Sequence, residues 1–566
     1  MLGLCAILLI TILATIIPGY CILAALPPEV RGKLEVGKDS TLVAMAFSFI
    51  AIAVLQLITW GLQTPPALTN AILYALLVGG LGAWLHRNGR FTRCMLPSGS
   101  GFLAWIFFVL YLFELLMLEP SYETAFTADW GLYYPNSAVY LNLAPISAFA
   151  AGMRLDYLVH RTPFLSLFGS FFLSLLGDDY FCYQIVILVV NSWVFWIVRL
   201  WAGLLFGARA VFASLLLLLV SPAVLRLVST PEPKMIGTFF VLLAVYFYGR
   251  TRAANLQEGR YLGVLAAGFG VTAYMCHPSM LLYVGWLFVD QIYLRLWKGR
   301  ALNREFWGGA VMAVLVLVVP WNVCMGMRLG WAAVLHPATT VSQPLALSAG
   351  GYIMSRVDMV LSSLLVPFPL LEALGSVPWP SVVSGATADM DMDLVQLWGN
   401  LWLRFNQHTF LGGLTLAVSV ATLALGWRHR PRWKAPVPRR LAYGWMAMGA
   451  LACVLVHLSL IDTKGQAINL MAPLFVLVLC YAGHVLGQVR PWIAVLVTVI
   501  SMAELTVVRW LIPVVTAGLP TRGLTYVYHL TAAGVEAMGG SFLVVLGLTA
   551  AAYALTLFTA FRQDGR

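Results

Sequence analysis

The sequence predicts an all-α polytopic membrane protein, and three observations carry that reading. First, 61% of the 566 residues are hydrophobic and 10% charged, with a mean hydropathy of +0.87, whereas soluble domains carry about 25% charged residues. Second, runs such as 41–62, 181–198 and 491–508 stay mostly apolar for about 20 residues, the length of helix that crosses a hydrocarbon core about 30 Å thick. Third, the basic residues cluster in alternate connections between these runs. Together these exclude a secreted enzyme, a cytosolic enzyme and an ordinary nucleic-acid binder. The net charge of +11 is explained by membrane topology instead.

Taken in order, apolar runs separated by charged connections give about 12 to 15 transmembrane helices. They begin near Leu4, Thr41, Leu68, Phe102, Phe181, Ala210, Met235, Tyr261, Met280, Phe306, His408, Leu441, Ala467, Pro491 and Ser541. The first run lacks a basic n-region and an A-x-A cleavage site, so it reads as a retained helix. With the N-terminus outside and the C-terminus inside, 24 of the 34 Lys and Arg residues fall on one side. That side includes Arg87/Arg90/Arg93, Arg250/Arg252, Arg295/Lys298/Arg300/Arg304 and the cluster from Arg428 to Arg440. The positive-inside rule makes it cytoplasmic, and 16 of the 23 Asp and Glu residues then face outward.

Inside connections are short, but two outer ones are long: 119–180 and 329–407. Long ordered loops in compact proteins are usually functional, and both carry apolar residues at intervals that suit interfacial helices. The spans before residue 102 hold almost no charge and read as an accessory extension. The eight cysteines are scattered without a C-x-x-C pair, so they indicate neither a metal nor a redox site. No internal repeat or low-complexity segment stands out.

The first outer loop holds the residues suited to chemistry. Asp129, in A-D-W-G-L-Y-Y-P, is an acidic group beside Trp130, Tyr133 and Tyr134 at the mouth of a bundle. There it either takes a proton from a hydroxyl or caps a helix, and the rings either stack on sugar faces or form an interfacial belt. Four further stretches follow: H-R-T-P-F-L-S-L-F-G-S-F-F-L-S-L-L-G from His160, V-R-L-W-A-G-L-L-F-G-A-R-A from Val198, S-P-A-V-L-R-L-V-S-T-P-E-P-K-M-I-G-T-F-F from Ser221, and A-G-F-G-V-T-A-Y-M-C-H-P-S-M-L-L from Ala267.

These five stretches, in this order and each on the side the topology assigns, resemble the GT-C class of membrane glycosyltransferases. The closest likeness is to the branch of aminoarabinose transferases and protein O-mannosyltransferases. It covers about 160 residues well and the remainder by topology alone. The usual proline pair is reduced here to Thr162-Pro163, the acidic doublet to Asp129-Trp130, and the basic residue of the later turn is His277.

The resemblance implies a GT-C-like bundle: an accessory N-terminal region 1–101, a catalytic core 102–328 containing the outer loop 119–180, a second outer loop 329–407, and C-terminal helices 408–566. It also implies a polyprenyl-phosphate-linked sugar as donor, a glycan, lipid or protein hydroxyl as acceptor, transfer with inversion at the outer face, and a bacterial inner membrane with the site toward the periplasm. Asp129 would be the base, with Asp156 its substitute or a partner of Arg161. Arg161, His277 and Lys464 would hold the donor phosphate, a guanidinium matching phosphate oxygens in a fork, and positive charge there stabilises the leaving group. Glu232, with Trp130, Tyr133 and Tyr134, would shape the sugar site, and Lys234 would snorkel from its span. No cofactor beyond the lipid-linked donor and no metal site is indicated; the triplet Asp389, Asp391 and Asp393 lacks the further ligands of a calcium loop. Glu504 and Arg509 lie in or at the end of a span and face the bundle, for structure or function alike. An O-antigen polymerase or ligase and a lipid or solute transporter are the alternatives. The transporter would show paired repeats and interrupted spans.

Overall fold

The computed structural model describes residues 2–27, 40–88, 130–141, 162–178, 180–220, 232–253, 256–331 and 472–488, with a few isolated positions between. All the regular structure among the described residues is helical. The helices are α1 (Leu2–Ala25), α2 (Thr41–Gly61), α3 (Pro66–Ala75), α4 (Leu81–Arg87), α5 (Trp130–Leu141), α6 (Phe164–Leu176), α7 (Tyr180–Asn191) and α8 (Val194–Phe206). Then come α9 (Ala208–Val220), α10 (Lys234–Ala253), α11 (Leu256–Cys276), α12 (Met280–Lys298), α13 (Arg304–Ala313), α14 (Val319–Leu329) and α15 (Ala472–Leu486). Single π turns, Leu76–Gly80 and Val314–Val318, join α3 to α4 and α13 to α14. The spans expected near Phe102, His408, Leu441, Pro491 and Ser541 lie outside the described residues.

Among the described residues, five stretches are long and apolar enough to cross a membrane: Leu8–Ala25, Thr41–Gly61, Pro66–Arg87, Cys182–Phe206 and Arg304–Arg328. Their surroundings differ. In Cys182–Phe206, 89% of the apolar window is buried inside the protein, against 11% in Pro66–Arg87 and 28% in Arg304–Arg328. Among the described helices the α7–α8 rod is therefore the most enclosed, their central rod, and the two π-containing rods are the least covered. Leu68, Ile72 and Leu76 on one, and Val311, Leu315 and Met327 on the other, are exposed, as side chains facing lipid would be.

The N-terminal helices are joined to the centre by side chains. Pro18 lies inside α1 and cannot donate to the carbonyl one turn back; the Tyr74 hydroxyl donates to that Ala14 carbonyl instead, at 3.2 Å. The next amide, Gly19 N–H, donates to Ser48 Oγ at 2.7 Å, and Ser48 Oγ donates to the Ile16 carbonyl at 3.2 Å. A Cβ at Gly19 would stand 1.7 Å from the Ala44 carbonyl oxygen, so glycine is what lets α1 and α2 touch backbone to backbone. From α2, Phe49 stacks on Phe168 of α6 at 4.7 Å and meets Trp193 and Phe240.

The stretch from His160 to Gly177 suggested an amphipathic helix at the interface. It forms α6, but every residue from Phe164 to Leu173 is buried. The reason is its small-residue face: Gly169 packs so tightly on Tyr183 that a Cβ there would come within 2.3 Å of the ring. Gly177, at φ +105°, then turns the chain back into α7 in a conformation that glycine adopts without strain. Gly207, at φ +95°, makes the equivalent turn between α8 and α9.

Candidate functional site at the outer helix ends

The described parts of three stretches singled out in the sequence, those from His160, Ser221 and Ala267, come together at one end of the helices. Thr162 is buried and donates from Oγ1 to the Cys276 carbonyl at 2.7 Å. This fastens the chain just before α6 to the last residue of α11, and so to the His277-Pro278-Ser279 turn. In that turn the His277 carbonyl accepts from Met280 N–H at 3.0 Å, while Ser279 N–H donates to His277 Nδ1 at 3.3 Å and Ser279 Oγ lies 2.7 Å from the same nitrogen. An amide donating to Nδ1 leaves the proton of a neutral ring on Nε2.

Glu232 arrives from another direction. Its carbonyl accepts from Asn191 Nδ2 at 3.0 Å, at the point where α7 ends and a Ser192-Trp193 turn interrupts the central rod. Its carboxylate lies 2.7 Å from Lys234 Nζ, with the two side chains 12% and 4% exposed. Lys234 therefore does not snorkel to solvent, because the neighbouring carboxylate lets the ammonium stay buried. A Cβ at Gly237, one turn into α10, would touch Met280 Cγ at 3.0 Å. The first turns of α10 and α12 are thus adjacent, and Lys234 and His277 start neighbouring helices at one end.

Trp130 opens α5. Tyr133 is 1% exposed, and its carbonyl accepts from Ser137 Oγ at 2.8 Å and Ser166 Oγ at 3.2 Å. A ring so enclosed packs the core and offers no face to a sugar. Tyr134 reaches Asp178, donating at 3.0 Å. The far end of α5 is held as firmly: the Tyr140 carbonyl accepts from Gln56 Nε2 at 2.9 Å, and its ring meets Trp60 edge-on at 5.0 Å. Burial raises the Tyr140 phenol well above its ordinary pKa, so it stays neutral. The Arg328 guanidinium covers Trp60 at 5.0 Å and donates to its carbonyl at 2.7 Å.

Asp129, Asp156, Arg161 and Lys464 lie outside the described residues. Among the described ones, no group of three or more His, Cys, Asp and Glu side chains could hold a metal. Sequence reasoning had missed the bond of Thr162, the role of Asn191 and the pairing of Lys234. Asn191-Ser192 inside an apolar run was a signal, since polar residues within a span are costly unless partnered.

Residues 160–323 match the family model for dolichyl-phosphate-mannose-protein mannosyltransferase. That is less than a third of the chain, and it contains Thr162, Asn191, Glu232, Lys234 and His277. No curated protein matches. The solved structures of ArnT from Cupriavidus metallidurans, in the apo state and bound to undecaprenyl phosphate, are 16% and 17% identical. Each comparison covers 81% of this chain and 75% of that one at a TM-score of 0.46, a likeness too distant to carry an argument. The protein is an integral membrane protein whose central segment has the sequence pattern of the dolichyl-phosphate-mannose-protein mannosyltransferases, a family of the GT-C class.

Proposed function

We propose that this protein is a membrane glycosyltransferase that moves a sugar from a polyprenyl-phosphate-linked donor to an acceptor hydroxyl at the outer, periplasmic face, with inversion. The observation that carries the proposal is the 2.7 Å bond from Thr162 to the Cys276 carbonyl. It brings together two stretches, 114 residues apart, that the family resemblance selects for phosphate binding. In this reading Asp129 takes the acceptor proton as the hydroxyl attacks the anomeric carbon, with Asp156 its substitute. The glycosyl–phosphate bond breaks, Arg161 and Lys464 neutralise the departing phosphate, and His277 donates to it. The donor's lipid chain, held in the bilayer, supplies much of the orientation. Glu232 and Trp130 border the sugar, and Tyr134 lies beside it, fixed to Asp178. The acceptor is a glycan, a lipid or a protein.

The test is transfer from a panel of radiolabelled polyprenyl-phosphate sugars by purified wild-type and Asp129→Asn protein, with melting curves of both. The expected result is turnover of one donor by wild type and its loss, by two or more orders of magnitude, in a variant of unchanged melting temperature. Equal rates in the two proteins would remove Asp129 from the mechanism and turn attention to Asp156. Failure of wild type on every donor would overturn the glycosyltransferase reading.

A further inference from the structure

The buried pair of Glu232 and Lys234 is not explained by stability. Lys234 is the first residue of α10, where the helix dipole is positive and a cation is disfavoured. It is also 3% exposed, and taking an ammonium and a carboxylate out of water costs more than their attraction commonly returns. An ammonium has three donors, and among the described residues Glu232 is the polar partner of only one of them, at 2.7 Å.

The backbone around the pair is held on both sides. Asn191 fixes the Glu232 carbonyl, and Thr238 Oγ1 donates to the Lys234 carbonyl at 2.8 Å. Tight packing of Gly237 on Met280 sets this first turn against the turn carrying His277, whose protonated nitrogen is Nε2 by the argument above. Adjacent turns thus carry the amide end of a long helix, an imidazole N–H and a lysine that, among the described residues, has donors beyond its ion pair, and each favours an anion.

We propose that Lys234 is a phosphate-binding residue and that Glu232 is its internal stand-in anion, occupying the ammonium until a phosphate monoester displaces it. The group recognised is a terminal phosphate, on a polyprenyl chain or free. Identifying it with the sugar donor rests on the function proposed above, but binding itself does not. Glu232 then acts through Lys234: it keeps the ammonium charged and aimed while the site is empty, and sets the affinity by competing with the ligand.

The pair makes opposite predictions for its two members, which a structural ion pair would not. Binding of a polyprenyl phosphate to full-length protein in detergent would be followed by intrinsic fluorescence, with inorganic phosphate and a zwitterionic phospholipid as separate arms and a melting curve for every variant. Lys234→Met should weaken polyprenyl phosphate binding about tenfold or more, in line with loss of a charged hydrogen bond. Lys234→Arg should retain it, and Glu232→Gln should tighten it severalfold. Glu232→Gln/Lys234→Met should bind as Lys234→Met does. If inorganic phosphate reproduces the pattern, the phosphate alone is read; if only the lipid does, the chain contributes too. Unchanged affinity in folded Lys234→Met, or weaker binding in folded Glu232→Gln, would overturn the proposal. Should Lys234→Met not fold, the sign of the Glu232→Gln effect decides. Turnover by wild type with Lys234-independent binding would sink this inference and leave the glycosyltransferase reading intact. Lys234-dependent binding without turnover of any sugar donor would do the reverse.

Discussion

Thr162 shows how much of the site depends on one hydroxyl. Replacing it with valine leaves the shape and removes the donor, so the Cys276 carbonyl is left buried without it, at a cost of about 1–3 kcal/mol. We expect Thr162→Val to lower the melting temperature by several degrees and to reduce transfer by about tenfold, since slight misplacement of a binding group is costly. Thr162→Ser should restore both, and paired melting and turnover measurements decide. At this scale the sequence named His277 and Glu232 from their place in motifs, and the two stand beside the starts of neighbouring helices. It named Thr162 only as part of a reduced proline pair and could not find the partners of Thr162 or Asn191, which are 114 and 41 residues away. Nor could it tell that Lys234 is buried, because a lysine at a span end ordinarily reaches for water. For Tyr133 composition shows an aromatic residue beside a membrane, and only packing shows that its ring is enclosed.

Among the elements, the contact of α1 with α2 is the most demanding. Gly19 leaves no room for a methyl group against Ala44, and the offending atom is backbone rather than a flexible side-chain end. Gly19→Ala should therefore destabilise the protein by about 1–3 kcal/mol or more, as overpacking does. Ser48→Ala, which strips the Gly19 amide of its acceptor, should cost about 1–3 kcal/mol. Thermal unfolding in detergent measures both, and a wild-type melting curve for Gly19→Ala would refute the backbone contact. The same geometry recurs where Gly483 of α15 meets Ser214 of α9, with a Cβ only 2.6 Å from the Ser214 amide nitrogen. The positions of these helices were readable from hydropathy. The burial of α6 was not, because an apolar helix with serines on one face reads equally as interfacial or as packed by small residues.

For the whole molecule, topology is the property under test. If the N-terminus lies outside, the turn after α2 is external and the end of α4 is cytoplasmic. A membrane-impermeant maleimide added to intact cells should label Gln63→Cys and spare Asn88→Cys, and inverted vesicles should reverse the result. Gln63 and Asn88 are both exposed, so access rather than burial sets the labelling. The opposite pattern would invert the bundle and move the proposed site to the cytoplasm. The division of the chain at 1–101, 102–328, 329–407 and 408–566 remains a proposal of the same scale. The packing of Phe49 on Phe168, Trp193 and Phe240 ties α2 to α6, the central rod and α10.

By itself the sequence determined that this chain lives in a membrane and where helices lie along its described part. These follow from local quantities, namely the hydropathy of a window, the count of lysines and arginines in a loop, and the order of short motifs. The tertiary structure decided which rod is central, which face of α6 is covered, and that Thr162 meets the His277 turn while Lys234 is neutralised by Glu232. Those outcomes depend on groups far apart in the chain and on whether a buried charge finds a counter-charge, and no window of sequence contains both partners and the space between them.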